Sequence, residues 1–288
     1  MGRGQDKQMK TPIIASPSVT RYILTKYKLT AKKKLGQNFL IDPSVVERIA
    51  AAAELTAEDR VLEIGPGIGT LTQGLAETGA KVTAVELDKG LIPVLGTTLA
   101  DYPNVEIIQG DILEMDIPKL ISGPFKCCAN LPYYITTPII FALLEQNLAW
   151  ERLVFMVQKE VAERIVAKPG GKDYGALSVI MQYYTEPQIA FTVSPSSFIP
   201  APNVESAVLV CKRREKPPVE VKSYEIFFKV VEASFSVRRK MLHNSLKNYE
   251  NYDNSQVEAW LERAGIDGTR RAETLSLEEF AKLANAVE

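Results

Sequence analysis

Four stretches of this 288-residue chain hold residue types at spacings that could do chemistry. The first is Glu63-Ile64-Gly65-Pro66-Gly67-Ile68-Gly69-Thr70, which joins a short apolar run to a helical pattern. Glycines at such a turn let the backbone approach a ligand closely, and the helix start offers unsatisfied N–H groups. The third glycine, Gly69, falls one residue earlier than the dinucleotide fingerprint requires, so the loop does not suit a pyrophosphate. The second stretch ends in Glu86, whose carboxylate can accept hydrogen bonds from both hydroxyls of a ribose. That role suits a nucleoside ligand without a 2′-phosphate. The third, Gln109-Gly110-Asp111-Ile112, puts another carboxylate at a strand end, where it can accept from an adenine amino group. The fourth is Asn130-Leu131-Pro132-Tyr133. Asn and Pro favour turns, so the string alone predicts a turn; its place after a fourth strand and a glycine loop makes it the most specific signal in the chain.

Other chemistries are poorly supplied. His243 is the single histidine, which disfavours a Ser/His/Asp mechanism or a multi-histidine metal site, and no metal is expected. Cys127, Cys128 and Cys211 allow neither a disulfide framework nor zinc spacing.

The elements that must position these groups follow from periodicity. Strands are predicted at Val61–Ile64, Lys81–Glu86, Val105–Gln109, Phe125–Ala129 and Leu153–Val157. Helices are predicted at Thr70–Glu77, Lys89–Ala100, Pro138–Glu145 and Lys159–Ala167. Strands alternating with helices imply βαβ units and a parallel sheet covered on both faces, an α/β fold. In such sheets ligands bind beyond the carboxyl ends of the strands, where Gly65, Glu86, Asp111 and Asn130 all fall. Upstream, residues 1–20 read as a flexible arm, followed by a helix over Val19–Tyr27 and another over Ser44–Ala53 with Asp42 as N-cap. Downstream, Tyr174–Tyr184 reads as helical, and Gln188–Val193 with Val204–Lys212 as an antiparallel pair closing the sheet edge. Glu215-Lys216-Pro217-Pro218 suits a linker. Beyond it Tyr224–Phe235, Lys240–Lys247, Ser255–Ala264 and Leu277–Ala286 are helical in pattern, with Ser255 and Ser276 as N-caps. The expected organisation is an arm at 1–20, a Rossmann-like domain at 21–214 and a small all-helical domain at 217–288.

Net charge is −1, so the chain is no generic polycation. The charge is unevenly placed, however: no acidic residue occurs from Lys7 to Ile41, a segment holding Arg21, Lys26, Lys28, Lys32, Lys33 and Lys34. Arg238-Arg239-Lys240 forms a further cluster. Together they favour a polyanionic partner, to which phosphate contacts would supply affinity without reading sequence. No apolar run reaches the roughly 20 residues of a membrane span, and the basic start lacks a secretory apolar stretch, so a cytoplasmic location away from membranes is expected.

This set of motifs resembles the ribosomal RNA adenine N6-dimethyltransferases, and within them the small-subunit 16S branch rather than the erythromycin-resistance methylases. The resemblance rests on Asn130-Leu131-Pro132-Tyr133, on Leu35-Gly36-Gln37-Asn38-Phe39-Leu40, and on Glu63 to Gly69. It extends through Phe198 to Val208, Phe235 to Leu246 and Arg271 to Leu275, from about residue 20 to the end. It implies the class I S-adenosylmethionine-dependent methyltransferase fold and methyl transfer to N6 of two adjacent adenosines near the 3′ end of 16S rRNA. Adenine N6 is a poor nucleophile because its lone pair is delocalised into the ring. By this resemblance the Asn130 and Leu131 carbonyls accept the two N6 protons and turn the lone pair toward the methyl. Positioning and preorganised dipoles then supply the rate. Tyr133 and Phe198 would stack on an extruded base. Asn38 and Leu40 are implied cofactor contacts beside Gly65, Gly67, Glu86, Asp111 and Asn130. Lys32, Lys33, Lys34, Arg238, Arg239 and Lys240 are the expected RNA contacts, the partner is 16S rRNA in the small subunit, and the chain is expected to be monomeric.

Overall fold

The computed structural model describes residues 11–145, 148–237, 239–248 and 252–287. Among the described residues nine strands run β1 Phe39–Leu40, β2 Arg60–Ile64, β3 Lys81–Glu86, β4 Val105–Gln109, β5 Phe125–Asn130, β6 Trp150–Gln158, β7 Thr185–Val193, β8 Phe198–Ile199 and β9 Ser206–Arg213. Seven of them form one sheet in the order β4-β3-β2-β5-β6-β9-β7. The pairs β2–β3, β3–β4, β2–β5 and β5–β6 are parallel, as buried apolar runs joined by helical crossovers require. From β2 the chain steps outward to β3 and β4, then returns to place β5 on the other side of β2. That reversal is the topological switch point, with Ile64 in register with Ala129.

Helices α1 Pro17–Lys26, α2 Pro43–Ala53, α3 Thr70–Ala76, α4 Ile92–Thr98, α5 Ile117–Leu120 and α6 Thr136–Glu145 accompany the first five large-sheet strands. Asp42 caps α2 by accepting from the Ser44 N–H at 3.1 Å, with Pro43 at the first helical position. One apolar cluster joins α2 and α3 to β2, β3, β5 and β9 through Val45, Val46, Ile49, Leu71, Leu75, Val61, Val82, Cys128 and Val208.

Residues 11–20, expected to be flexible, are ordered. Ile14 and Ala15 are buried, the Ile14 N–H donates to Gln73 Oε1 at 2.8 Å, and α1 already begins at Pro17. The reason is an apolar face on α1 that inserts Ile23, Val19 and Leu24 beside Ile68, Leu91, Val94, Leu95 and Leu99. Residues 1–10 of the predicted arm lie outside the described residues.

The chain divides into two compact units, residues 1–158 with 190–210, and residues 159–189 with 211–288. The second unit is therefore not the contiguous 217–288 segment. It also takes α7 Lys159–Val166 and α8 Ala176–Tyr184. Its remaining helices are α9 Tyr224–Phe235, α10 Leu242–Asn248, α11 Asn254–Ala264 and α12 Leu277–Ala286. Tyr183 and Tyr184 of α8 pack on Tyr224, Phe227 and Phe228 of α9, with ring centroids 5.0–6.3 Å apart for Tyr183–Phe227 and Tyr184–Phe228. That aromatic seam explains why α8 joins this unit. Ser276 caps α12 as expected, whereas α11 is capped from Asp253 rather than Ser255.

Candidate active site

At the switch point the carboxyl ends of β2, β3, β4 and β5 open into a crevice with about 1140 Å³ of space between its walls, part of it open to solvent. It lies within the first unit. Its walls include Gly65, Gly67, Glu86, Asp111, Asn130, Leu131, Pro132 and Tyr133, together with Asn38 and Leu40 from the Leu35–Leu40 segment. The residues singled out on four separate strand ends thus converge, and so do the two known only by resemblance.

Backbone conformation shapes the floor. Gly65 and Gly67 have φ of +72° and +65°, in the region that disfavours side chains, and a Cβ on Gly65 would meet nothing within 4 Å. A ligand can therefore lie directly against this backbone. Glu86 is buried beside it. Its Oε2 accepts from the Gly67 N–H at 3.0 Å and its Oε1 from the Asp88 N–H at 2.7 Å. Burial pushes its carboxyl pKa up against those two bonds. A carboxylate has about four lone-pair sites, so two further donors such as ribose hydroxyls find acceptors here and would relieve the desolvation. Asp111 at the next strand end accepts from the Leu113 N–H at 3.0 Å through Oδ1.

Opposite the glycine loop, Asn130 closes β5. Its Nδ2 donates to the Asn38 carbonyl at 3.4 Å, which turns the amide so that Oδ1 is the atom left for a ligand. The Asn38 amide in turn donates to the Gly36 carbonyl at 3.2 Å. Leu131 is buried, and its N–H donates to the Met156 carbonyl at 3.0 Å. The Pro132 carbonyl accepts from Ile135 N–H and Thr136 Oγ1, both at 3.1 Å, and so starts α6. Tyr133 is half-buried. Its hydroxyl shares a 2.7 Å hydrogen bond with Ser206 Oγ, and burial pushes its phenol pKa up.

Glu63 and Gln37 on the crevice, and Asp88 two residues beyond Glu86, were not singled out by the sequence. Glu63 is 1% exposed, and Oε2 has no hydrogen-bond partner among the described residues. Burial pushes its carboxyl up to about 8, with added repulsion from Glu86. Asp88 is also buried. It accepts from Lys32 Nζ at 2.7 Å, from Gln37 Nε2 at 3.0 Å and from the Gly90 N–H at 3.0 Å. Although burial opposes it, these donors hold the Asp88 carboxyl below its usual range. Gln37 and Asp88 thereby fasten the Leu35–Leu40 segment to the end of β3. An acidic residue two places after Glu86 was the available signal.

Two assignments need correction. Phe198 is 3% exposed and lies in the core cluster with Leu40, Val193 and Val208, not on the crevice wall. It stands opposite Leu40 in the antiparallel β1–β8 pair, so its ring positions the Leu35–Leu40 segment and offers no stacking face. Lys32 is an ion-pair partner of Asp88 and not a free cation. Lys34, Arg239 and Lys240 are exposed, whereas Arg238 and the Lys33 side chain lie outside the described residues.

A largely parallel sheet with a glycine-loop crevice at its switch point, a buried carboxylate at the end of β3 and an Asn-Leu-Pro-Tyr turn defines a Rossmann-like methyltransferase. Solved structures agree. The 23S rRNA methyltransferase ErmE is 31% identical with a TM-score of 0.65, covering 87% of this chain and 99% of that one. A dimethyladenosine transferase from Plasmodium falciparum is 27% identical with a TM-score of 0.71, covering 85% and 95%. The chain belongs to the ribosomal RNA adenine dimethylase family, which it matches over residues 28–288. It is 49% identical over 285 residues to the ribosomal RNA small subunit methyltransferase A of Bacillus pumilus (strain SAFR-032), covering 96% of this chain and 97% of that protein. The protein of the same name from Bacillus mycoides (strain KBAB4) is 49% identical over 283 residues, covering 95% and 97%. Among the described residues no helix is long and apolar enough to cross a membrane.

Proposed function

We propose that this chain transfers methyl groups from S-adenosylmethionine to N6 of two adjacent adenosines near the 3′ end of 16S rRNA, dimethylating each. The observation that carries the reading is the Asn130 amide, held by the Asn38 carbonyl so that its own carbonyl oxygen is presented at the crevice.

Glu86 would accept from the ribose hydroxyls of the cofactor and Asp111 from its adenine amino group. Gly65 and Gly67 allow backbone contact, and Asn38 and Leu40 close the crevice from the side. Bound S-adenosylmethionine supplies an electrophilic methyl on a sulfonium. The chain's own part is to orient the acceptor amine. Asn130 Oδ1 and the Leu131 carbonyl accept its two N–H groups, which turns the lone pair out of conjugation and toward the crevice. Dipoles fixed in this way need no reorganisation during transfer, and no strong base is needed because the proton can leave afterwards. Tyr133, half-buried and anchored on Ser206, supplies a face for the extruded base. After one transfer the nitrogen keeps a proton and a usable lone pair, so the same groups serve a second.

Similarity at 49% over nearly the whole length to small-subunit methyltransferases supports the small-subunit substrate over the large-subunit substrate of ErmE. The test is methyl transfer to unmodified small ribosomal subunits and, separately, to free large-subunit RNA, with modified nucleosides mapped. Dimethyladenosine at two neighbouring positions in small-subunit RNA is expected. Modification of large-subunit RNA alone would overturn the assignment.

A further inference from the structure

We infer that the outward face of α1 is an RNA-docking surface, on which Arg21, Lys26 and Lys28 meet phosphates and Tyr22 stacks on an unpaired base. The inference rests on the functional reading above and concerns helix α1, which ends at Lys26, ahead of the residues that the family model matches.

Helix α1 has two unlike faces. Thr20 and Ile23 are buried, and Val19, Leu24 and Tyr27 pack into the cluster that also holds Phe39, Ile68 and Leu91. Those last three residues line the crevice, so α1 backs one of its walls. The opposite face carries Ser18, Arg21, Tyr22, Thr25 and Lys26, all exposed and all brought together by helical spacing. Tyr22 is 62% exposed, the most exposed of the large apolar side chains among the described residues. Lys26 Nζ stands 5.6 Å from the Tyr22 ring centroid and 5.3 Å from that of Tyr27. A cation beside an exposed ring is the pairing that single-stranded RNA sites use, the ring for a base and the cation for the adjoining phosphate. Lys28 follows in the left-handed position after the helix, at φ 51°, where glycine is the usual residue. The chain thus carries a cation where glycine would be less strained.

Charge complementarity selects the occupant. No acidic residue occurs between Lys7 and Ile41, and the nearby Asp88 is matched by Lys32.

The test is co-sedimentation of the full-length protein with unmodified small ribosomal subunits over a range of salt. An Arg21→Gln/Lys26→Gln variant is expected to bind about tenfold more weakly near 0.1 M salt, its slope of log K against log salt shallower by about 1.4. Tyr22→Ala should lose about fivefold or more with the slope unchanged. Arg21→Lys/Lys26→Arg should restore wild-type affinity, and S-adenosylmethionine titration should be equal in all four proteins. Wild-type affinity and slope in the double glutamine variant, with wild-type protein binding and methylating the particle, would overturn this surface alone. A wild-type protein that neither binds nor methylates the particle would overturn the functional reading and this surface with it.

Discussion

At the scale of single residues, two buried carboxylates on one crevice do different work. Glu86 is satisfied by two backbone donors and keeps acceptor capacity for a ligand. Glu86→Ala should weaken S-adenosylmethionine binding by about 1–3 kcal/mol, the range for hydrogen bonds to a charged group, as read by calorimetric titration. An unchanged dissociation constant would remove it from the binding site. Glu63 is instead a buried acid whose pKa is pushed up from 4.5 to about 8. The folded state then holds a proton that the unfolded chain gives up more easily. Its contribution to stability is present below the unfolded value and declines as pH rises through the folded one. Glu63→Gln stays neutral throughout, so its denaturation midpoint should fall less than that of the wild type between about pH 5 and pH 8. Parallel curves for the two proteins would show that Glu63 ionises as freely in the fold as outside it.

At the scale of elements, the parallel sheet and its strand ends were legible because each strand is a short apolar run that stops at a distinctive residue. Glycine, glutamate, aspartate and asparagine at four successive strand ends needed only the rule that crevice ligands sit beyond carboxyl ends. What was not legible depends on distant partners. The β1–β8 pair is two residues long on each side, too short for any periodicity, yet it buries Phe198 and turns a supposed stacking ring into a core residue. Lys32 and Gln37 meet Asp88 across more than fifty positions, and no local pattern marks that junction. Helical periodicity gave α1 and α8 an apolar face without saying what covers it, so the segment leading into α1 was read as a flexible arm and α8 was read into the other unit. Packing between elements also makes a prediction. Gly74 of α3 faces Val46 of α2, and an added Cβ would lie 2.4 Å from Val46 Cγ1. Valine is stiff at χ1, so Gly74→Ala should cost about 1–3 kcal/mol in chemical denaturation despite alanine's better helix propensity. A variant as stable as the wild type would mean that α2 can shift without penalty.

At the scale of the whole molecule, the chain separates a crevice built for a small nucleoside ligand from surfaces suited to a large polyanion. The first unit holds the crevice, the Asn-Leu-Pro-Tyr turn and the basic face of α1. The second holds a helical core, braced by the Arg270–Glu279 pair at 2.5 and 3.0 Å, and exposes Arg239 and Lys240. A single histidine and a net charge of −1 are what this division predicts. In the proposed function catalysis draws on oriented carbonyls rather than proton shuttles, and RNA affinity on placed cations rather than overall charge. The two functions should separate cleanly under mutation. The most direct measurement is single-turnover methyl transfer by Asn130→Ala on unmodified small subunits, paired with calorimetric titration of S-adenosylmethionine. The account predicts a loss of transfer of about 10²-fold or more, as when a preorganised dipole is removed, with cofactor affinity within a few-fold of wild type. Near-normal transfer by that variant would contradict it.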